Sequence, residues 1–307
     1  MGTPDFAVPS LQALIDKKFE IKLVVTQPDR PSGRGQILQF PPVKTLAIAN
    51  KIPVFQPESL KTNTEARNRV LETPCDFLVV VAFGQILPKE ILDHPRIAPL
   101  NVHASLLPAY RGAAPIQRAI MEGEEQTGVT IQWMIEALDQ GDVLVHAPTN
   151  ISEDDTSQSL HDRLKVIGAS ALVECLELFS ADKIVRRSQD SRVGSYASKI
   201  LKKESQIRFD QSAFFVHRTI MGLNPWPVAE CRLSGKTFKI HRSRFLARES
   251  HAEPGTVLET NETEIVVSCH QGCVGLLEVQ FENRNRMKVS EFLKGHPVPA
   301  GLILGSI

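Results

Sequence analysis

Asn101 and His103 stand two residues apart in the stretch PLNVHASLLPAYRGAAP, residues 99–115. In an extended chain alternate side chains share a face, so the two point the same way. An asparagine amide donates hydrogen bonds, and an imidazole gives or takes a proton near neutral pH. Together they could hold an oxygen that gains negative charge in a transition state. Further on, ALDQGDVL (137–144) places Asp139 in a glycine-containing loop between two apolar segments. A carboxylate that reached His103 would fix its tautomer. Each residue also has a plain structural reading. Asn101 could cap a turn, His103 could be a bonded core side chain, and Asp139 could be ordinary Asp-x-Gly turn chemistry. The proline-bound loop ASLLPAYRG (104–112) directly after His103 is too particular for a generic turn. It shifts the balance toward a site.

Such residues need a frame. IKLVVTQ (21–27) and DFLVVVAFG (76–84) are almost wholly apolar and β-branched, the pattern of strands buried on both faces. Helix-like stretches lie around 5–17, 41–50 and 61–72, and LNVH ends like the tip of a strand. Alternating strand and helix predicts a doubly wound, mostly parallel α/β sheet, with ligands beyond the carboxyl ends of its strands. VTIQWMI (129–135) and DVLVHAPTNI (142–151) read as further strands with one wetter face, and 156–179 as a closing helix. Residues 183–203 hold seven Lys and Arg against one acid and little apolar periodicity. They read as a basic linker. After a helical segment and the breaker NPWP, short strands at 228–234, 236–246, 255–259, 264–269 and 274–281 suggest a small OB-like β-barrel. The expected organisation is a catalytic domain over 1–185, a linker over 186–203 and a barrel over 204–307.

Composition narrows the classes. The chain has 307 residues, 42% of them hydrophobic, with zero formal net charge. No global field therefore selects nucleic acid or membrane. Residues 1–200 carry a net −3 and residues 201–307 a net +3, a weak hint of an anionic partner for the second half. Five scattered cysteines argue against a disulfide framework and for a reducing cytoplasm. Cys269-His270-Gln271-Gly272-Cys273 has no second pair at ligand spacing, so no metal is expected. The longest apolar run, near Phe77–Phe83, is far short of a membrane span, and no signal-peptide pattern stands at the start.

NVHASLLPAYRGAAPIQRAI followed by TGVTIQWMIEALDQGDVL resembles the folate-dependent formyltransferases. GTPDFAVPSL (2–11), VVTQPDRPSGRG (24–35), FQPESL (55–60), VVVAFGQILP (79–88), YASKI (196–200) and LNPWP (223–227) extend the likeness over nearly the whole chain. The resemblance implies catalysis by Asn101, His103 and Asp139, with 10-formyltetrahydrofolate as co-substrate and no metal. The pterin would lie against Val81, Ala82, Phe83, Gly84 and Gln85, and against Leu138, Gly141 and Asp142. Ser105, Leu106, Leu107 and Pro108 would wall the site. QPDRPSGRG, GAAPIQRA and the trailing barrel point to the branch that formylates initiator methionyl-tRNA. Arg30, Arg34, Arg111, Arg186, Arg187, Lys199, Lys202, Lys203, Lys236, Lys239, Arg242 and Arg244 would then face that RNA, and the enzyme would work as a cytoplasmic monomer. A transferase acting on a small amine such as a UDP-amino-sugar, and a catalytically silent binding protein, are the rival readings. Two features depart from the family pattern. Ala109-Tyr110 and Gln36-Ile37 replace larger or basic residues, and the apolar strand that the family carries before Gly2 is not part of this sequence.

Overall fold

The computed structural model describes residues 1–32, 37–190 and 192–305. They form two compact units that interleave along the chain. The first is built from 1–112, 127–149 and 161–196, the second from 113–126, 150–160 and 197–307. Segments 113–126 and 150–160, expected in the first domain, thus belong with the second. The stretch 186–196, expected as linker, belongs with the first.

The first unit contains helices α1 (Val8–Asp16), α2 (Pro42–Ala49), α3 (Thr64–Leu71) and α4 (Lys89–Leu92). Pro9 and Pro42 start α1 and α2 where a missing N–H costs nothing, and Asn63 caps α3 through the Ala66 N–H at 3.0 Å. Its strands are β1 (Val24–Val25), the hairpin β2 (Arg30–Ser32) and β3 (Ile37–Gln39), β4 (Val54–Phe55), β5 (Phe77–Val80), β6 (Ala98–His103), β7 (Arg111–Gly112), β8 (Gln126–Trp133), β9 (Val143–Asn150) and β10 (Tyr196–Ala197). β1 pairs with β4 and β5 with β6 in parallel, and β8 runs antiparallel to β6. The four-stranded order is β5-β6-β8-β9.

Between β1 and β5 only the first two residues pair. Gly2 N–H donates to Val25 O at 3.0 Å, Val81 N–H to Met1 O at 2.9 Å, and the Met1 amine to Val79 O at 2.6 Å. Beyond them lies a cavity of about 730 Å³ bounded by Leu14, Phe19, Leu23, Phe77, Val79 and Leu176 among others. Burial lowers the Met1 α-amine from 8.0 to about 5.

Helix α5 (Pro115–Met121) belongs to the second unit and packs on α7 (Ala213–Gly222). Gly222 makes this approach possible, since a Cβ there would lie 2.6 Å from Met121 Cγ and 3.1 Å from Gln117 O. The long α6 (Ser157–Ser180) runs from one unit into the other. Strands β11 (Ala229–Leu233), β12 (Lys236–Leu246), β13 (Val257–Thr260), β14 (Ile265–Ser268), β15 (Cys273–Phe281) and β16 (Met287–Lys288), followed by α8 (Val289–Phe292), complete the unit. The sheet order is β11-β12-β15-β14-β13, antiparallel throughout, with β16 on β15. Residues 302–305 join the two sheet edges: Gly305 exchanges hydrogen bonds with Arg232 on β11, and Val257 N–H on β13 donates to Leu302 O at 2.8 Å. This closure makes a barrel around Phe238, Ile240, Val267, Leu276 and Phe292, all at most 1% exposed. The five cysteines are unpaired, and among the described residues no helix is long and apolar enough to cross a membrane.

Candidate active site

Antiparallel pairing of β6 and β8 sets Asn101 opposite Gln132 and His103 opposite Thr130. The period of two puts all four side chains on one face. After Trp133 the chain does not continue outward. It turns back, so that Trp133 N–H donates to Asp142 O at 2.8 Å. Gly141 is required there, because a Cβ would stand 1.7 Å from Trp133 O. Asp139 sits in the left-handed region at φ 52° and carries its carboxylate onto the polar face.

Three N–H donors converge on that carboxylate. Gly112 N–H donates to Oδ2 at 2.9 Å, Gln132 Nε2 to Oδ1 at 3.0 Å, and Asn101 Nδ2 to Oδ1 at 3.5 Å. His103 is 6% exposed, with Nδ1 3.6 Å from Asp139 Oδ1. Its Nε2 lies 3.0 Å from the carbonyl of Tyr110, which can only accept, so Nε2 carries a proton and Nδ1 is the nitrogen free to exchange one. Asn101, His103 and Asp139, expected together from their residue types, the loop beside them and the family resemblance, are therefore brought together. The site stands at the carboxyl end of β6, whose last residue is His103, and the antiparallel β8 supplies half of it.

The loop 104–112 is fixed from below. Ser105 O accepts from Thr130 Oγ1 at 2.6 Å, Leu107 N–H donates to the same hydroxyl at 3.0 Å, and Ser105 Oγ donates to Ala109 O at 2.6 Å. Segment 186–196 straps it from above. Tyr110 N–H donates to Ser195 Oγ at 2.8 Å and Arg111 N–H to Ser195 O at 2.9 Å. The Arg111 guanidinium donates to Gln189 Oε1 at 3.1 and 2.8 Å, and Gln189 Nε2 donates to the carbonyls of Asp139 and Gly141 at 2.9 and 2.6 Å. Arg111 is 9% exposed, which corrects the expectation that it meets RNA. Its charge is spent inside, on holding the strap to the loops of Asp139 and Arg111.

The expected folate loops divide by exposure. Val81 and Phe83 are buried, whereas Ala82 (φ 46°) and Gly84 (φ 80°) are exposed, both in the left-handed region. Gln85 is turned the other way, accepting from Leu60 N–H at 2.8 Å and donating to Pro57 O at 2.9 Å, so it shapes the loop from behind. Leu106 and Pro108 are partly exposed, Leu107 buried, and Leu138 is 60% exposed. Asp142 binds Arg186 at 2.9 Å, and that guanidinium also lies 3.9 Å over the Trp133 ring.

Of the other expected cations, Arg30, Arg187, Lys199, Lys202, Lys203 and Lys236 are exposed and Lys239 is partly so. Arg34 lies outside the described residues. The hairpin that carries Arg30 is anchored at Asp29, whose carboxyl is held below its ordinary range by hydrogen bonds from Lys44 and Gln56. Arg244 is committed to Glu264 by two bonds of 2.7 and 2.6 Å, and Arg242 lies 3.8 Å from Asp154. Among the described residues one His–carboxylate group, Asp5, His161 and Asp162, has ligand atoms close together and is partly exposed.

Gln132, Thr130 and Gln189 were not anticipated. Gln132 could have been: it is the one amide within VTIQWMI, at the parity of Thr130.

Residues 1–176 match the formyl transferase family and residues 199–297 its C-terminal domain. A methionyl-tRNA formyltransferase of Geotalea daltonii is 45% identical over 99% of this chain and 97% of its own, and that of Clostridioides difficile is 44% identical over 99% and 98%. The Bacillus subtilis enzyme of that name is 43% identical over 99% and 96%. Among solved structures, an N-formyltransferase of Helicobacter canadensis in complex with folinic acid and dTDP-3-aminofucose shares the fold at TM-score 0.69 and 19% identity, over 92% of this chain and 97% of that one. HypX of Aquifex aeolicus, in complex with tetrahydrofolic acid, does so at 0.57 and 18%, over 80% and 43%. With both domains matched and whole-length identities near 44%, the chain belongs to the methionyl-tRNA formyltransferase family.

Proposed function

We propose that the chain moves the formyl group of 10-formyltetrahydrofolate to the α-amine of initiator methionyl-tRNA, with Asn101, His103 and Asp139 at the reacting centre. The observation that carries the assignment of roles is the convergence of Asn101 and His103 on the Asp139 carboxylate within one buried polar face. The amine nitrogen attacks the formyl carbon, the carbon–N10 bond breaks, and the proton lost by the amine ends on N10. The tetrahedral oxygen bears negative charge meanwhile. The Asn101 amide is the donor best placed to meet it, and each such donor contributes roughly 10²–10³ in rate. His103 Nδ1 and Asp139 Oδ1 form the route for the proton, a contribution of roughly 10²–10⁴. The exposed turn at Ala82 and Gly84 suits the edge of a pterin, and the exposed Leu138 suits its face.

The exposed Arg30, with Arg34 in the same loop, and Lys199, Lys202 and Lys203 are the cations we assign to the RNA, the last three through phosphates. A single-turnover assay with 10-formyltetrahydrofolate and charged initiator tRNA tests the reading. Asp139→Asn should lower the rate at least about a hundredfold and leave folate binding nearly intact. Near-normal turnover by that variant would make Asp139 a turn residue. Formylation of a nucleotide amino-sugar in place of the tRNA would reassign the acceptor.

A further inference from the structure

Gln132 is 2% exposed, in a strand whose neighbours Val129 and Ile131 are wholly buried. A primary amide in such a place costs free energy unless its groups are bonded. Only half of this one is: Nε2 donates to Asp139 Oδ1 at 3.0 Å, while Oε1 has no hydrogen-bond partner among the described residues. An apolar side chain of similar length would fill the same space without that cost. The compensation therefore lies in the hold on Asp139.

What that hold does follows from counting donors. Oδ1 offers two lone pairs, and three nitrogens approach it, Gln132 at 3.0 Å, Asn101 at 3.5 Å and His103 at 3.6 Å. Gln132 is the nearest and occupies one pair. Asn101 and His103 are left to share the other, at distances where neither is fully engaged. Gly112 N–H pins Oδ2 at 2.9 Å, so the carboxylate cannot rotate to serve both. Asn101 stays available for the reacting oxygen only if Asp139 does not capture its amide.

We propose that Gln132 is a positioning residue: by filling one lone pair of Asp139 Oδ1, it keeps the Asn101 amide from being captured by that carboxylate and leaves the remaining pair to His103 during transfer. The inference rests on the roles proposed above for Asn101, His103 and Asp139.

The test is steady-state kinetics of the full chain with 10-formyltetrahydrofolate and methionyl-tRNA, for Gln132→Met, Gln132→His and Asp139→Asn, with a thermal melt of each. Gln132→Met removes the donor at similar volume. Its kcat should fall roughly 10- to 100-fold, the range seen when a partner of a reacting group is lost, with both KM values within about threefold of the parent. Gln132→His returns an N–H at similar reach and should recover kcat to within about fivefold. A loss caused only by poorer packing would lower the melting temperature and leave Gln132→His no better than Gln132→Met. That result overturns the proposal, as does a Gln132→Met kcat within twofold of the parent while Asp139→Asn is crippled. Should Gln132→Met fail to fold, Gln132→Glu decides. It places an acceptor against Oδ1 and should lose at least as much kcat as the methionine variant was expected to lose, and parent-like turnover would refute the role. An Asp139→Asn variant with parent-like kcat overturns the catalytic reading itself, and this inference with it.

Discussion

Joining five apolar, β-branched residues in extended form ahead of Met1 should stabilise the chain, most strongly at low pH. The slot between β1 and β5 already has its first rung, made by Met1 and Gly2 with Val25, Val79 and Val81. Its cavity of about 730 Å³ holds about five medium apolar residues at interior density. Filling it is worth up to about 17 kcal/mol at roughly 24 cal/mol per Å³. Ordering five residues costs about 10 kcal/mol at roughly 2 kcal/mol each. About 7 kcal/mol remains as an upper figure, or on the order of 10 °C in melting temperature for a chain of this size. The pH dependence has a separate source. The Met1 amine titrates at about 5 when folded and 8.0 when unfolded. Between these values the unfolded state binds the extra proton, so stability falls as pH drops, by about 1.4 kcal/mol per unit. The loss is about 1.4 kcal/mol at pH 7 and nearly 4 kcal/mol below pH 5. An extension turns the amine into an amide and abolishes this slope. Burial also lowers His217 and His241, which give a slope of the same sign, but both chains share it. The assay is denaturant melting of parent and extended chain at pH 5, 6, 7 and 8. Equal midpoints at pH 7, or parallel pH profiles, would refute the reasoning.

Three further outcomes can be checked. Gly141→Ala drives a methyl onto Trp133 O and should cost more than about 3 kcal/mol, with loss of turnover, by chemical melting and kinetics. Arg111→Met leaves Gln189 without its donor and should loosen segment 186–196, seen as faster amide exchange at Arg187, whose N–H bonds Val143 O, and at Tyr110, whose N–H bonds Ser195 Oγ, and a kcat loss exceeding the stability loss. Replacing Lys199, Lys202 and Lys203 together by alanine should weaken tRNA binding and reduce the slope of log affinity against log salt by about 2–3, with folate binding unchanged.

The grouping of Asn101, His103 and Asp139 was legible in part because Asn101, His103 and the loop 104–112 are written consecutively, while Asp139 follows separately in ALDQGDVL. Phe77–Val80 and the strands around Phe238 and Leu276 were legible from apolar runs and alternation. What was hidden depends on pairing across the chain. Gln132 and Thr130 acquire meaning only when β8 lies antiparallel on β6, and no local pattern announces that register. Segment 186–196 looked like a linker because its bonds are made by Gln189 and Ser195 to distant residues rather than by an apolar stripe. Helix α5 was missed because it is seven residues long, although Pro115 marked its start.

The interleaving of the two units has a consequence for how the molecule comes apart and comes together. The backbone passes from one unit to the other five times, at 112/113, 126/127, 149/150, 160/161 and 196/197. A single cut at 126/127, 149/150 or 160/161 leaves two pieces that each still hold part of both units, so protein nicked there should run as one species until denatured. On a ribosome, the first unit lacks its last stretch until residue 196 has emerged, although its first residues were made long before. Early segments must therefore wait, partly built, for late ones. The region that waits longest includes the sheet flank at Met1, where the cavity beside β1 and β5 and the buried amine lie.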